Sequence, residues 1–347
     1  MRHAPRALLA LPLLALALAA SACGSDDDTA TASSGGGGAP EKIVVAYQAI
    51  PNGDLVVKNQ GWLEEALPDT EIEWKLFDSG GTVIEAFAAD SVDIGLAGSS
   101  PVSRAISTRV PVQVPWIHDV IGDAEALVVR DDIASFEDLK GKKIATPLAS
   151  TAHYSLLAAI ADAGLAPTDV EIIDAEPDDI YAAWTRGDID GAYVWNPNLA
   201  RMEAEGGKVL ITSTELAEQG KTTYDLGIVS DDFAEQYPDA VQAWVDQQAR
   251  AVDLLNSEPD VAAESIAVEL SISPEEAGAQ IEDLIFVPAD EQAGPEYLGG
   301  ALGEALFATA EFNRAQQQIP STFDEDVYVD AVKPGFAAKA KTEAPAK

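Results

Sequence analysis

Short apolar runs alternate with helical stretches over most of this 347-residue chain, and that alternation restricts its fold more than any other feature. The runs predict strands over 42–47, 71–77, 92–97, 112–117, 126–129, 143–145, 170–173, 191–195, 209–212 and 227–230. Helical patterns lie between them, as at 82–89 and 153–163. A parallel strand can be reached only through a crossover, and helices supply it, so the expected class is α/β with mostly parallel sheets flanked by helices. After about Asp231 the pattern is mostly helical: 237–256, 260–270, 274–283 and a long stretch over 297–318.

Two segments resemble each other. Ala86-Phe87 leads to Asp93-Ile94-Gly95, and Ala183-Trp184 leads to Asp190-Gly191-Ala192. Each has an aromatic six residues before an Asp and a β-branched residue (Val92, Ile189) just ahead of it. Two lobes of related topology would explain the repeat. Glu125–Val129 and Tyr224–Val229 pass from polar to apolar and are the expected crossings. They divide the chain into one lobe of 41–128 plus 228–332 and a second of 129–227.

The ends have a different character. Arg2 and Arg6 precede an unbroken run of Ala, Leu and one Pro over 7–20, too short to span a bilayer, and 1–22 is expected to be an export leader. Cys23, the only cysteine, follows Ala20-Ser21-Ala22 and resembles a bacterial lipobox, so lipidation there would anchor the protein to the outer face of the cell membrane. Residues 23–40, with four consecutive glycines at 35–38, have little to bury and are expected to form a flexible tether; the Ala-, Lys- and Pro-rich tail from 333 is expected to be loose. The net charge of −38 argues against a nucleic-acid partner. It also means that an anionic ligand needs a locally positive site.

Three strand-to-helix loops share one chemistry: Asp78-Ser79-Gly80-Gly81-Thr82, Gly98-Ser99-Ser100-Pro101 and Ala149-Ser150-Thr151-Ala152-His153. In the second, Ser100 is the expected N-cap with Pro101 first in the helix. Each loop offers hydroxyls and free N–H groups at the positive end of a helix dipole, a ready site for an oxyanion. Ser and Thr also simply cap helices. Three such loops at the carboxyl ends of parallel strands, drawn from both lobes, favour a ligand cleft. An enzyme is not expected. No phosphate-binding Gly-rich motif, H-E-x-x-H or G-x-S-x-G occurs, and His118 and His153 are the only histidines beyond the leader. No metal or cofactor is called for.

At this point the residues resemble a known family. Phe77-Asp78-Ser79-Gly80, Val92-Asp93-Ile94-Gly95, Gly98-Ser99-Ser100-Pro101, Glu125 to Val129, Ser150 to Leu157 and Ala182 to Trp195 are similar to the taurine-binding proteins of ABC importers. The resemblance covers roughly 43–240. It implies a two-lobed periplasmic-binding-protein fold of type II, closing on a small solute and delivering it as a monomer to an ABC permease driven by ATPase subunits. Taurine is a zwitterion, so its sulfonate would be met by Ser79, Gly80, Ser99, Ser100, Ser150, Thr151 and His153, and its ammonium by Glu125 or Asp225. Trp195 and Tyr47, with Gln48 beside it, would wall the carbon chain. A charge entering an apolar strand is unfavourable unless paired, which singles out Glu125. The alternatives are another small solute such as an alkanesulfonate or nitrate, or an enzyme of the thiamine-pyrimidine-synthesis type on the same fold.

Overall fold

The structure, a computed structural model, describes residues 38–342. The leader, Cys23 with its expected lipid, the tether up to residue 37 and the tail after 342 lie outside the described residues. In chain order the strands are β1 (Lys42–Tyr47), β2 (Glu71–Leu76), β3 (Ile94–Gly98), β4 (Val112–Ile121), β5 (Glu125–Val129), β6 (Lys143–Thr146), β7 (Glu171–Asp174), β8 (Gly191–Trp195), β9 (Lys208–Thr212), β10 (Tyr224–Ser230) and β11 (Leu284–Ile285). Five helices of the first 162 residues matter for the site: α1 (Gly53–Gln60), α2 (Trp62–Ala66), α3 (Gly80–Ala88), α4 (Ser99–Ser107) and α5 (Thr151–Asp162).

The strands form two sheets, in the orders β11-β4-β10-β3-β1-β2 and β7-β6-β8-β5-β9. In the first, β1 is parallel to β2 and β3, while β10 runs against both β3 and β4. In the second, β6 is parallel to β7 and β8, while β5 runs against both β8 and β9. With β11 set aside, the two sheets have one plan: a mostly parallel sheet with a single reversed strand in the same place. Both sheets keep the expected α/β, mostly parallel character.

The repeated sequence element shows why the plans coincide. Asp93 places its carboxylate on the Val44 N–H at 2.8 Å, and Asp190 places its own on the Lys143 N–H at 2.8 Å. Their backbones match too, with Asp93 N–H on the Val44 carbonyl and Asp190 N–H on the Lys143 carbonyl. Each Asp therefore splices the strand it opens onto its parallel neighbour.

The reversed strands are the ones that enter each lobe. β5 lies wholly in the second sheet and β10 wholly in the first, so the expected divisions after 128 and before 228 fall inside strands. The chain changes sheet at 122–124 and again between β9 and β10. A strand's backbone groups are all committed to one ladder, so the change of sheet takes place in turns. At the first turn Gly122 lies against the Asp283 carbonyl, 2.6 Å from where a Cβ would stand.

Burial on both faces explains why the strand segments read as uninterrupted apolar runs. Along β5, Ala126 and Val128 pack with Ile180 and Trp184, while Leu127 and Val129 pack with Leu156 and Tyr193 on the other face. The first lobe is centred on Trp116 and Trp244, both fully buried. Trp244 comes from the helix Pro238–Ser257 and fits because Gly227 on β10 has no side chain. The stretch from 333 is not loose where it is described. Lys333 donates its N–H to the Val114 carbonyl on β4 at 2.8 Å, and the short helix Pro334–Ala337 buries Ala337.

Candidate functional site

Three helix N-termini converge where the lobes meet. Ser79 is the cap residue of α3, its N–H donating to Thr82 Oγ1 at 3.3 Å, and Ser150 caps α5 by accepting the His153 N–H at 3.1 Å. Gly98, in extended conformation, is the cap residue of α4. That differs from the expectation that Ser100 would be the cap with Pro101 leading the helix: α4 begins two residues earlier than Pro101, at Ser99. Glycine makes the convergence possible. A Cβ at Gly80 would lie 2.9 Å from Pro101 Cγ and 3.2 Å from the Gly98 nitrogen. A Cβ at Gly98 would lie 2.5 Å from Thr151 Cγ2, across the lobe boundary. The first N–H groups of each helix have no partner within it, and the three dipoles add positive potential at one place.

These termini face a small cavity lined by Gln48, Ile50, Pro51, Gly80, Gly98, Pro101, Ile121, Ala124, Glu125, Ser150, Thr151, Trp195, Asn196, Asp225 and Leu284. It leaves about 30 Å³ for the centre of a water-sized sphere. At roughly 10–15 Å³ per water, that is room for two or three waters. Most of the wall is apolar, and its polar groups are few and buried.

Two of those groups are carboxylates. Glu125, first residue of β5 and paired in register with Trp195, is fully buried. Its Oε2 accepts the Thr151 hydroxyl at 2.5 Å, and its Oε1 accepts Ser213 at 2.8 Å and Ser155 at 3.3 Å. Desolvation pushes its pKa from 4.5 up to about 7 against the lowering effect of those hydroxyls. Asp225 on β10 stands opposite Gly98 on one side and opposite Asp119 on the other. Burial, reinforced by the neighbouring carboxylates of Asp119 and Glu125, holds its pKa well above the ordinary value. The cavity thus combines three helix N-termini with carboxyl groups that no cation neutralises; among the described residues no ion pair includes Glu125, Asp119 or Asp225.

A family model described as NMT1/THI5 like matches residues 52–262, more than half of the chain. The chain belongs to this family. It is 37% identical to the taurine-binding periplasmic protein of Escherichia coli over 82% of this chain and 89% of that protein. It is 30% identical to a putative aliphatic sulfonates-binding protein of the same organism, over 52% of this chain and 58% of the other. Among solved structures, the alkanesulfonate-binding protein from Xanthomonas axonopodis pv. citri bound to MOPS superposes with a TM-score of 0.73 at 23% identity. That superposition covers 85% of this chain and 99% of the other, and it shows that the fold is that of the periplasmic binding proteins.

Of the residues singled out in the sequence of this family member, Gln48, Gly80, Glu125, Ser150, Thr151, Trp195 and Asp225 line the cavity. Tyr47 does not. Its ring meets Trp74 edge-on at 6.0 Å, with Lys58 Nζ 5.2 Å above it, and the apolar wall comes instead from residues such as Ile50, Pro51 and Leu284. Ser99 and Ser100 stand outside the lining, their hydroxyls accepting from the Tyr224 N–H and Asn313 Nδ2 at 3.3 Å each. Ser79 Oγ donates to Glu176 Oε1 at 3.3 Å, a contact between lobes. His153 accepts the Ala149 N–H at 3.3 Å, and burial lowers its pKa to about 4, so it is neutral.

Asn52 and Asp119 escaped the sequence reading. Asn52 caps α1 and donates to Asp119 Oδ2 at 3.2 Å, directly behind Asp225. The strand was expected to end at Ile117, and β4 runs on to Ile121. Had the run been extended, the charge at Asp119 inside an apolar strand would have signalled a site by the same argument that singles out Glu125.

Proposed function

We propose that this protein is the exported substrate-binding component of an ABC importer and that it captures taurine or a close aminosulfonate. The cavity that holds Glu125 and Asp225 together with three helix N-termini carries the reading. A zwitterion fits that pairing: helix N–H groups and the Thr151 and Ser150 region take the sulfonate, and the buried carboxylates take the ammonium through charge-assisted hydrogen bonds. The helix ends also let a strongly acidic protein accept an anionic group, because they supply positive potential with no charged side chain. Trp195 covers the carbon chain. The curated relatives that bind taurine or sulfonates support the ligand class. Ligand stabilises the closed pair of lobes, whose two sequence parts we place on either side of the turn at 122–124, and that form docks on the permease. No cofactor is needed, and lipid on Cys23 would hold the monomer at the outer face of the cell membrane.

Calorimetric titration with taurine, ethanesulfonate, sulfate and nitrate tests the assignment. Tight binding of taurine alone is expected. Equal binding of ethanesulfonate would retire the ammonium site and make this a general sulfonate binder; no binding of any of the four would remove the ligand assignment. Detergent partition and mass spectrometry of the exported wild type and of Cys23→Ser decide the anchor.

A further inference from the structure

We propose that Asp119 and Asp225 hold one proton between them while the cavity is empty, and that the ligand's ammonium takes its place. Capture of a zwitterion then releases a proton, which capture of a plain sulfonate does not. This rests on the reading of the cavity as a zwitterion's site and assigns Asp119, which does not line the cavity, a role in specificity.

The placement of the two carboxyls carries the inference. They stand directly opposite each other on the antiparallel pair β4 and β10, both buried, with Asp225 opening on the cavity. The register sets the two carboxyls side by side, and burial keeps water from screening them from each other. Asn52 Nδ2 donates to Asp119 Oδ2, and Oδ1 of Asp119 has no partner. Like charges this close cannot both ionise without a cation, so one carboxyl keeps a proton.

The groups facing the pair offer no such cation. Asp54 on α1 and Glu125 on β5 are themselves carboxyls and oppose a second charge on the pair. His118 on β4 lies 3.8 Å from Asp54, and full burial drives its pKa down to about 3, so it is neutral. The hydroxyls of Thr151, Ser155 and Ser213 are directed at Glu125. A ligand ammonium is therefore the cation that would let both aspartates ionise, and the displaced proton leaves for solvent. Below the pair's own titration range, taurine affinity should fall by up to about tenfold per pH unit.

The test is carboxyl carbon NMR of the empty protein, together with taurine calorimetry about one pH unit below the pair's titration in buffers of different ionisation heat. Wild type should release about one proton per taurine from the pair, beyond any released by Glu125. That release should survive Glu125→Gln and disappear in Asp119→Asn, while ethanesulfonate heats show no buffer dependence. In the empty protein, an aspartate carboxyl besides that of Asp54 should titrate above about pH 6 and be lost in Asp119→Asn. Taurine binding without proton release, or the same release from Asp119→Asn, overturns the proposal. So does the absence of any aspartate other than Asp54 titrating in that range, whether or not taurine binds. No heat with taurine would count against the ligand reading instead, and the NMR titration would still decide the shared proton.

Discussion

Gly98→Ala tests whether lobe closure depends on the contact between the α4 and α5 termini. The backbone at Gly98 (φ −64°, ψ 160°) suits any residue, so alanine adds no strain within its own lobe. Its Cβ would stand 2.5 Å from Thr151 Cγ2 in the other lobe. Thr151 cannot simply turn aside, because its hydroxyl donates to Glu125 at 2.5 Å. Either the lobes stop short or that bond is lost, and each outcome costs about 1–3 kcal/mol. Since the conflict exists only when the lobes are together, it should weaken taurine binding about 5- to 150-fold. The melting temperature of the empty protein should change by no more than about 2 °C, because an open form has no clash to relieve. Thr151→Ser keeps the hydroxyl and removes Cγ2, so adding it to Gly98→Ala should restore most of the affinity. Calorimetry on the two single variants and the double completes the cycle. Wild-type affinity in Gly98→Ala, or a double variant no better than the single, would refute the reasoning.

Glu125→Gln should weaken taurine about 10- to 150-fold, the worth of a hydrogen bond to a charged group, and leave ethanesulfonate within a few-fold; equal losses for both would show that Glu125 only supports the fold. Asp54 gives a pH prediction. Burial raises its pKa from 3.8 to about 7, so the folded protein keeps a proton that the unfolded chain has released. Its contribution is fully present below about pH 4 and is lost as pH rises toward 7. Asp54→Asn retains an oxygen for Gln248, which donates to Asp54 at 2.6 Å. The variant should gain stability over wild type steadily between those values and level off above, by up to roughly 4 kcal/mol. Thermal melts at several pH values check this, and a difference that stays constant with pH would contradict it.

Much of the fold was legible in the sequence because both sheets are covered by helices on both faces. Such strands must be short apolar runs, and runs like Leu127 and Val128 carry no polar face to blur them. The paired Asp motifs at Asp93 and Asp190 were legible for a similar reason, since each performs one backbone-splicing task that needs that residue in that place. β11 left no signal, because two residues set no periodicity. Asp119 and Tyr47 mark two further limits. The first was hidden by a strand ending placed too early, and the second was placed at the cavity by its position beside Gln48 although its ring turns toward Trp74.

Local chemistry was thus determined by sequence alone: which segments are strands, which loops begin helices, and that Glu125 at the head of an apolar strand needs a partner. Only the tertiary structure decided which hydroxyls remain for a ligand. Ser79, Ser99, Ser100 and Ser150 look alike in one dimension, yet Ser79 and Ser150 spend their O–H groups on Glu176 and the Pro147 carbonyl, whereas Ser99 and Ser100 accept from the Tyr224 N–H and Asn313 Nδ2 and keep theirs. It also decided that Asp119 and Asp225, more than a hundred residues apart, stand opposite each other with Asp225 in the cavity wall. The physical reason is common to both: hydrogen-bond partners and the desolvation of a charge depend on distances between elements, and those distances exist only once the sheets have been assembled.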